Sequence, residues 1–406
     1  MANTAQSSVC GIGLGAENCY VAVARQGGIE IILNEYSQYS TPAYVGLGGN
    51  QRDLGTSAKQ KQMTHLRSTC FAPSLLLGKK YSELDLKSIP YGIEKGLNDS
   101  ILFRIEHAGE ELVLTPTQLL AMIFTKLRHI GGNPVDCVIN CPNFFNEIQR
   151  RQMLDAAQIA GLNPLKIIND TTAVALFHGF YRTPSNRDSS IVCFFDCGQS
   201  SSQSSIYFFN HKENSLNLLD SQYQADIGGQ NFDQLIANHF IHEQKLELNN
   251  RARYRLYAEC EKLKKQMSAN SNELPVSIEC LYDERDFSAR MDRVKFLELA
   301  EPLFSKLKEM LIRNLNCAKL KYNNLFAEKF EEFKISSVEI FGGSSRIPSI
   351  KQIVKAVFDV EPSTTLNADE AVARGCALQC AILSPNFKTN KTLNMLDGIS
   401  YQVNFG

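Results

Sequence analysis

The chain has 406 residues, 44% hydrophobic and 21% charged, with a net charge of −1. Domains usually run ~100–200 residues, so this length excludes one compact core and two or more lobes are expected. The near-zero charge supplies no broad basic field, so neither nucleic acid nor an anionic membrane is an expected partner.

Residues 1–8 are polar and uncharged. They have neither the basic nor the apolar region of a secretory signal. No stretch reaches the ~20 apolar residues that span a bilayer. A soluble, intracellular protein is expected, in the cytoplasm with the nucleus as a second compartment. Residues 8–25 then form an apolar, strand-like run interrupted by Gly11, Gly13 and Gly15. Gln26-Gly27-Gly28 reads as a hairpin turn, and residues 29–34 as the returning strand.

Helical signals follow. Thr115-Pro116-Thr117-Gln118 is a capping box with Pro at the first helical position. Leu119, Leu120, Ile123, Phe124 and Leu127 continue it as one apolar stripe, which Gly131 can close. Asn146 and Gln149 cap a second helix that ends near Gly161. Strands alternating with helices indicate α/β layers. From residue 191 the plan restarts: a strand to residue 195, a polar turn over 196–202, and a returning strand over 205–209. Two similar halves suggest two lobes around a cleft. A late helix is expected over 369–383, and the tail 389–406 is polar and then strand-like.

Twelve cysteines raise a metal or disulfide reading. Cys137/Cys141 and Cys193/Cys197 lie in strand-like runs, where a four-residue offset separates side chains by roughly 13 Å. That is too far for a shared metal or a disulfide. Cys376/Cys380 falls at helical spacing in an apolar stretch. All read as small buried hydrophobes.

Three glycine-containing turns could hold phosphate, because small residues let backbone N–H groups approach an anion. They are Gly13-Leu14-Gly15-Ala16-Glu17-Asn18, Asp196-Cys197-Gly198-Gln199-Ser200-Ser201 and Phe341-Gly342-Gly343-Ser344-Ser345-Arg346. Any one of them alone also fits a plain chain reversal. No G-x-G-x-x-G follows a strand and there is no Walker A sequence, which argues against Rossmann and P-loop sites.

Together the turns carry a resemblance. Residues 12–24, 138–180, 225–233, 255–268 and 338–383 resemble, in order, the ATPase domain of the heat-shock-seventy superfamily, with coverage over about 8–387. The runs GAENCYVAVA, LDAAQIAGLNPLKIIND and EKLKKQMSANS are more similar to its large, one-hundred-and-ten-kilodalton branch. The resemblance implies an α/β, actin-like two-lobed fold of duplicated ribonuclease-H-like domains. The lobes would close on ATP or ADP with Mg2+. The first lobe would comprise 8–188 and 365–388, with 40–116 its outer subdomain. The second would comprise 189–364, with 229–302 its outer subdomain. Residues 389–406 would be a tail, or the start of a substrate-binding domain near 399–402.

The same resemblance implies residue roles. Gly15, Ala16 and Glu17 form the first phosphate turn, and Gly198, Gln199, Ser200 and Ser201 the second. Asp196 lies near the magnesium, and Asp170 couples the lobes and orients metal-bound water; these two are the remnant catalytic pair. Gly228 and Gly229 lie beside the ribose. Glu261, Lys264 and Ser268 hold ribose and adenine, although the charged helix 251–268 read by itself is a solvated face. Gly342, Gly343, Ser344 and Arg346 line the adenine and phosphate side, and Asp369 is a carboxylate of the late helix.

Four positions depart from the family pattern. Gly13 stands where an aspartate holds metal-bound water, and Ser74 where a lysine positions the attacking water. Gln203 replaces an aspartate and Gln199 a glycine of the second turn. Phosphoryl transfer depends on positioning and charge stabilisation, so hydrolysis is expected to be weak or absent. One reading is decay of a redundant copy. The other is a switch from hydrolysing ATP to being held in shape by it. The resemblance implies a co-chaperone that exchanges adenine nucleotide on heat-shock-seventy chaperones, by contact with their nucleotide-binding domain. The alternatives are a weakly active ATPase chaperone domain and a pseudo-chaperone that competes for partners.

Overall fold

The computed structural model describes residues 9–25, 28–86, 89–181, 188–282, 284–326, 332–385, 387 and 393–398. Gln26 and Gly27 of the expected hairpin, and most of the tail including 399–402, lie outside the described residues. Two mixed sheets share one plan. In the first, Val9–Leu14 pairs antiparallel with Asn18–Arg25, which pairs antiparallel with Gly28–Ile31. On its other side Val9–Leu14 runs parallel to Asp136–Cys141, and that strand parallel to Asn163–Asn169. In the second, Ser189–Cys197 pairs antiparallel with Ser202–Asn210, which pairs antiparallel with Ser215–Gln224. Its other side runs parallel to Ile335–Phe341, and that strand parallel to Pro362–Ser363. The repeated strand, turn, strand plan of the sequence is therefore a duplicated sheet topology, that of the actin-like fold.

The helices Asp170–Tyr181 and Ala371–Leu383 pack against each other between the two sheets. Val174, Ala175, Phe194, Tyr207 and Phe341 form one buried cluster there, and Val9, Val138, Ala173, Cys376 and Cys380 another. Burying each large apolar side chain contributes roughly 1.5–3 kcal/mol, which fixes the sheets relative to each other. Small elements extend each half outward. On the first these are antiparallel strands Ile93–Lys95, Ile101–His107 and Glu110–Leu114. On the second they are helices Gly229–Gln244 and Asn250–Ala269 with the hairpin Leu274–Tyr282 and Arg285–Met291. Among the described residues no helix is long and apolar enough to cross a membrane.

Local signals act as their chemistry requires. Thr115 and Gln118 make a reciprocal capping box at the start of Pro116–Ile130, as do Asn146 and Gln149 at Glu147–Ile159. Gly131 keeps helical backbone angles, and it is Gly132, at φ +81°, that reverses the chain. The turn of the second sheet is tighter than 196–202, because Ser189–Cys197 and Ser202–Asn210 both extend toward it. The late helix starts at Ala371 rather than 369, so Asp369 lies in the turn before it. Ten of the twelve cysteines are buried within the packed elements, consistent with a role as small hydrophobes.

Candidate functional site

Strand register builds the site. Parallel neighbours end together, so Leu14 ends beside Asn140 and Cys141, and Asp170 begins where Asn163–Asn169 stops. In the second sheet Asp196 pairs with Phe341, which sets the second and third glycine turns side by side. Ligands of α/β sheets collect at such carboxyl ends of strands. Here the carboxyl ends of both sheets face one cavity of about 580 Å³. That size suits a small-molecule ligand.

The three turns meet in this cavity. Gly15, Ala16 and Glu17 line it from the first half, and Gly198, Gln199, Ser200 and Ser201 from the second. Gly342, Gly343, Ser344 and Arg346 line it too, as do Glu261, Lys264, Ser268, Asp369, Asp170 and Asp196. Gly13 and Ser74 also reach it. Gly228 and Gly229, expected beside the ribose, do not line the cavity. They stand behind the second turn as spacers. A Cβ on Gly228 would lie 2.5 Å from the backbone of Ser200 and 2.6 Å from that of Gln199. Gly229 N donates to Gly198 O at 2.9 Å, and Gln230 N to Gln199 O at 2.9 Å.

The helix Asn250–Ala269 presents Glu261, Lys264, Lys265 and Ser268 on one face, at helical spacing. Lys264 is buried, and its Nζ lies 2.7 Å from Asp233 Oδ1 and donates to Gly229 O at 2.8 Å. Its ammonium therefore braces the spacer turn. Ser268 Oγ donates to Lys264 O within the helix, and Glu261 pairs with Lys265 at 2.6 Å. Burial pushes the Asp233 carboxyl up to about 7, against the pull of Lys264. An unfolded aspartate titrates near 4, so between about pH 4 and 7 the folded chain retains a proton that the unfolded chain has lost. That contribution is fully present below pH 4 and is lost as pH rises through 7. Thermal melts of the wild type should thus lose more stability between pH 5 and 8 than melts of Asp233→Asn. Equal losses would reject this role for Asp233.

Other contacts were not legible in the sequence. Asn140 is buried, accepts from Leu14 N at 2.5 Å, and donates to Leu14 O at 3.1 Å and Asp170 Oδ1 at 2.6 Å. It clamps the first turn to Asp170. Asn140 is the one polar residue of the stretch CVINC, and that is the signal that could have found it. Glu17 turns its carboxylate to Lys59 at 2.5 Å, which offsets a negative charge in a phosphate turn. Arg346 and Asp369, expected as separate contacts, form an ion pair at 2.6 Å at the cavity edge. Tyr44 and Tyr254 bring their hydroxyls to 3.4 Å, with Phe71 packed on Tyr254, and so link the two halves beyond the turns.

Asp170 and Asp196 form the floor. Burial raises both carboxyls above the usual range, and for Asp196 the neighbouring Asp170 charge adds to it. Gln203 lies between them, donating from Nε2 to Asp170 Oδ2 at 2.8 Å and to Asp196 Oδ2 at 3.1 Å.

A nucleotide-sized cleft lined by three glycine turns at the carboxyl ends of duplicated sheets defines a nucleotide-binding domain of the actin-like class. The sequence model of the family described as Hsp70 protein matches residues 9–405, and the chain belongs to that family of heat-shock chaperones. It is 41% identical to the "Heat shock protein 110" of Caenorhabditis elegans, over 95% of this chain and 51% of that protein. It is 42% identical to the "97 kDa heat shock protein" of Strongylocentrotus purpuratus, over 94% of this chain and 44% of that one. Identity to the human "Heat shock 70 kDa protein 4L" is 40%, over 98% of this chain and 48% of the relative. The chain thus spans about half the length of the curated relatives it matches.

The family's domain binds nucleotide, generally with Mg2+. The magnesium expected through Asp196 and Asp170 does not find a fitting donor set here. Gly13 offers no side-chain oxygen, and a Cβ there would already lie 3.0 Å from Ala373 Cβ. Both remaining carboxylates are engaged by the amide of Gln203.

Proposed function

We propose that this chain binds adenine nucleotide in the cleft, hydrolyses it weakly or not at all, and acts as an exchange factor for chaperones of the heat-shock-seventy class. One observation carries the reading. All three phosphate turns converge on one cavity, while the two side chains that would support hydrolysis are replaced by Gly13 and Ser74 in that same cavity. The binding half of an ATPase is kept and the chemical half is removed. Bound nucleotide then bridges the two halves and stiffens the surface offered to a partner. The partner would meet the outer part of the second half, roughly residues 229–302. The expected setting is the cytoplasm, with the nucleus as a second compartment.

Binding is tested by thermal unfolding. A ligand specific for the folded state stabilises by about 2.7 kcal/mol at a hundredfold excess over Kd. A midpoint that does not move at millimolar ATP or ADP would reject nucleotide binding. Exchange is tested by stopped-flow release of a fluorescent ADP analogue from a heat-shock-seventy chaperone, with and without this chain. Acceleration at tens of micromolar is the expected result. No acceleration, with ATP binding established, would reject exchange and favour competition for partners.

A further inference from the structure

Gln203 touches both halves of the molecule at the cleft floor. It comes from Ser202–Asn210 and is 1% exposed. Its amide nitrogen donates to Asp170 Oδ2 at 2.8 Å and to Asp196 Oδ2 at 3.1 Å. Its carbonyl accepts from Asn143 N at 2.7 Å. Asp170 and Asn143 belong to the first half, Asp196 to the second. A primary amide has two N–H groups, and both are spent on carboxylates. The other Asp170 oxygen accepts from Asn140 Nδ2 at 2.6 Å.

Magnesium has different requirements. It takes near-octahedral oxygen ligands, keeps several waters, and is usually held through one or two carboxylates together with substrate phosphates. At this floor three carboxylate oxygens already accept from amides, one of them Gln203. Gly13 contributes none, and the packing of Ala373 against it leaves little space for an added group. Lys59, Lys265 and Arg346 line the same cavity, each ion-paired with a carboxylate that also lines it, Glu17, Glu261 and Asp369.

We propose that nucleotide binding by this chain is independent of divalent cation. Gln203 is the positioning residue responsible, because its neutral amide couples the two carboxylates and the two halves that a hydrated cation would otherwise couple. The inference rests on the reading that the cleft binds adenine nucleotide.

The test is calorimetric titration of the chain with ADP, once in excess magnesium chloride and once in excess EDTA. The expected Kd values agree within about threefold, a difference of under 1 kcal/mol. Binding that weakens tenfold or more in EDTA would overturn the inference and leave the nucleotide reading standing. Binding absent from both buffers would remove both. Gln203→Asp places three carboxylates together with no amide between them. Magnesium without nucleotide should then raise the melting midpoint of the variant and leave that of the wild type unchanged. Magnesium should also tighten ADP binding by the variant about tenfold or more. If the variant folds and binds ADP equally in both buffers, Gln203 is not the determinant. If it fails to fold, Gln203→Glu repeats the measurement with the original side-chain reach, and the two wild-type titrations decide the metal dependence in either case.

Discussion

Gly342→Ala should abolish nucleotide stabilisation and lower the stability of the domain, while Gly343→Ala, one residue along, should leave the stability of the unliganded domain unchanged. Gly342 adopts φ +79° and ψ 145°, a region that only glycine enters readily. A Cβ there would run into the Asp196 carboxylate and lie 2.5 Å from Cys197 O. Cys197 O is held in the sheet by the pairing of Cys197 with Ser202, and the Asp196 carboxylate is held by the amide of Gln203. Backbone strain of order 1–3 kcal/mol and overpacking of similar size combine to about 3 kcal/mol or more. A Cβ on Gly343 has nothing within 4 Å, so its substitution should stay within about 0.5 kcal/mol. Thermal melts of both variants, with and without ATP, make the comparison. Equal behaviour of the two would mean that the third turn does not have the geometry described. Gly228→Ala should behave like Gly342→Ala, because backbone atoms of Gln199 and Ser200 occupy the space that its Cβ needs.

Turnover by the purified chain should be at least about 10²-fold below that of a family member carrying an aspartate at position 13 and a lysine at 74, the usual cost of removing one such group. Two losses from one constellation do not simply multiply. The structure also specifies what a rescue needs. Ser74 is buried in the short helix Pro73–Leu76 and faces the cavity, so Ser74→Lys can extend toward a phosphate. Gly13→Asp meets Ala373, whose Cβ and backbone N lie 3.0 and 3.3 Å from the new Cβ position. Ala373→Gly is therefore the companion change. Single-turnover hydrolysis by the triple variant should exceed the wild-type rate by about tenfold or more. A variant that binds ATP as tightly as wild type yet gains no rate would show that these two groups are not what hydrolysis lacks.

The sequence by itself determined the elements whose causes are local. The capping boxes at Thr115 and Asn146 start their helices because the partners lie three residues apart. The strand, turn, strand repeat at residues 9–25 and 189–210 follows from apolar runs broken by small residues, and it carried the duplicated fold with it. The three glycine turns were legible for the same reason. Tertiary structure decided how distant residues share the cleft. Arg346 and Asp369 became partners, Gly228 and Gly229 moved behind the second turn, and Asn140 clamped Leu14 across 126 residues of chain. Such contacts depend on which strands are neighbours and in what register, and local pattern does not encode that. Gln203 lies between the two cases. Its pairing with Asp196 follows from a four-residue hairpin turn, but its bond to Asp170 exists only because the two halves close on each other. In the sequence it was a lost aspartate, and in the fold it is the amide that joins the halves.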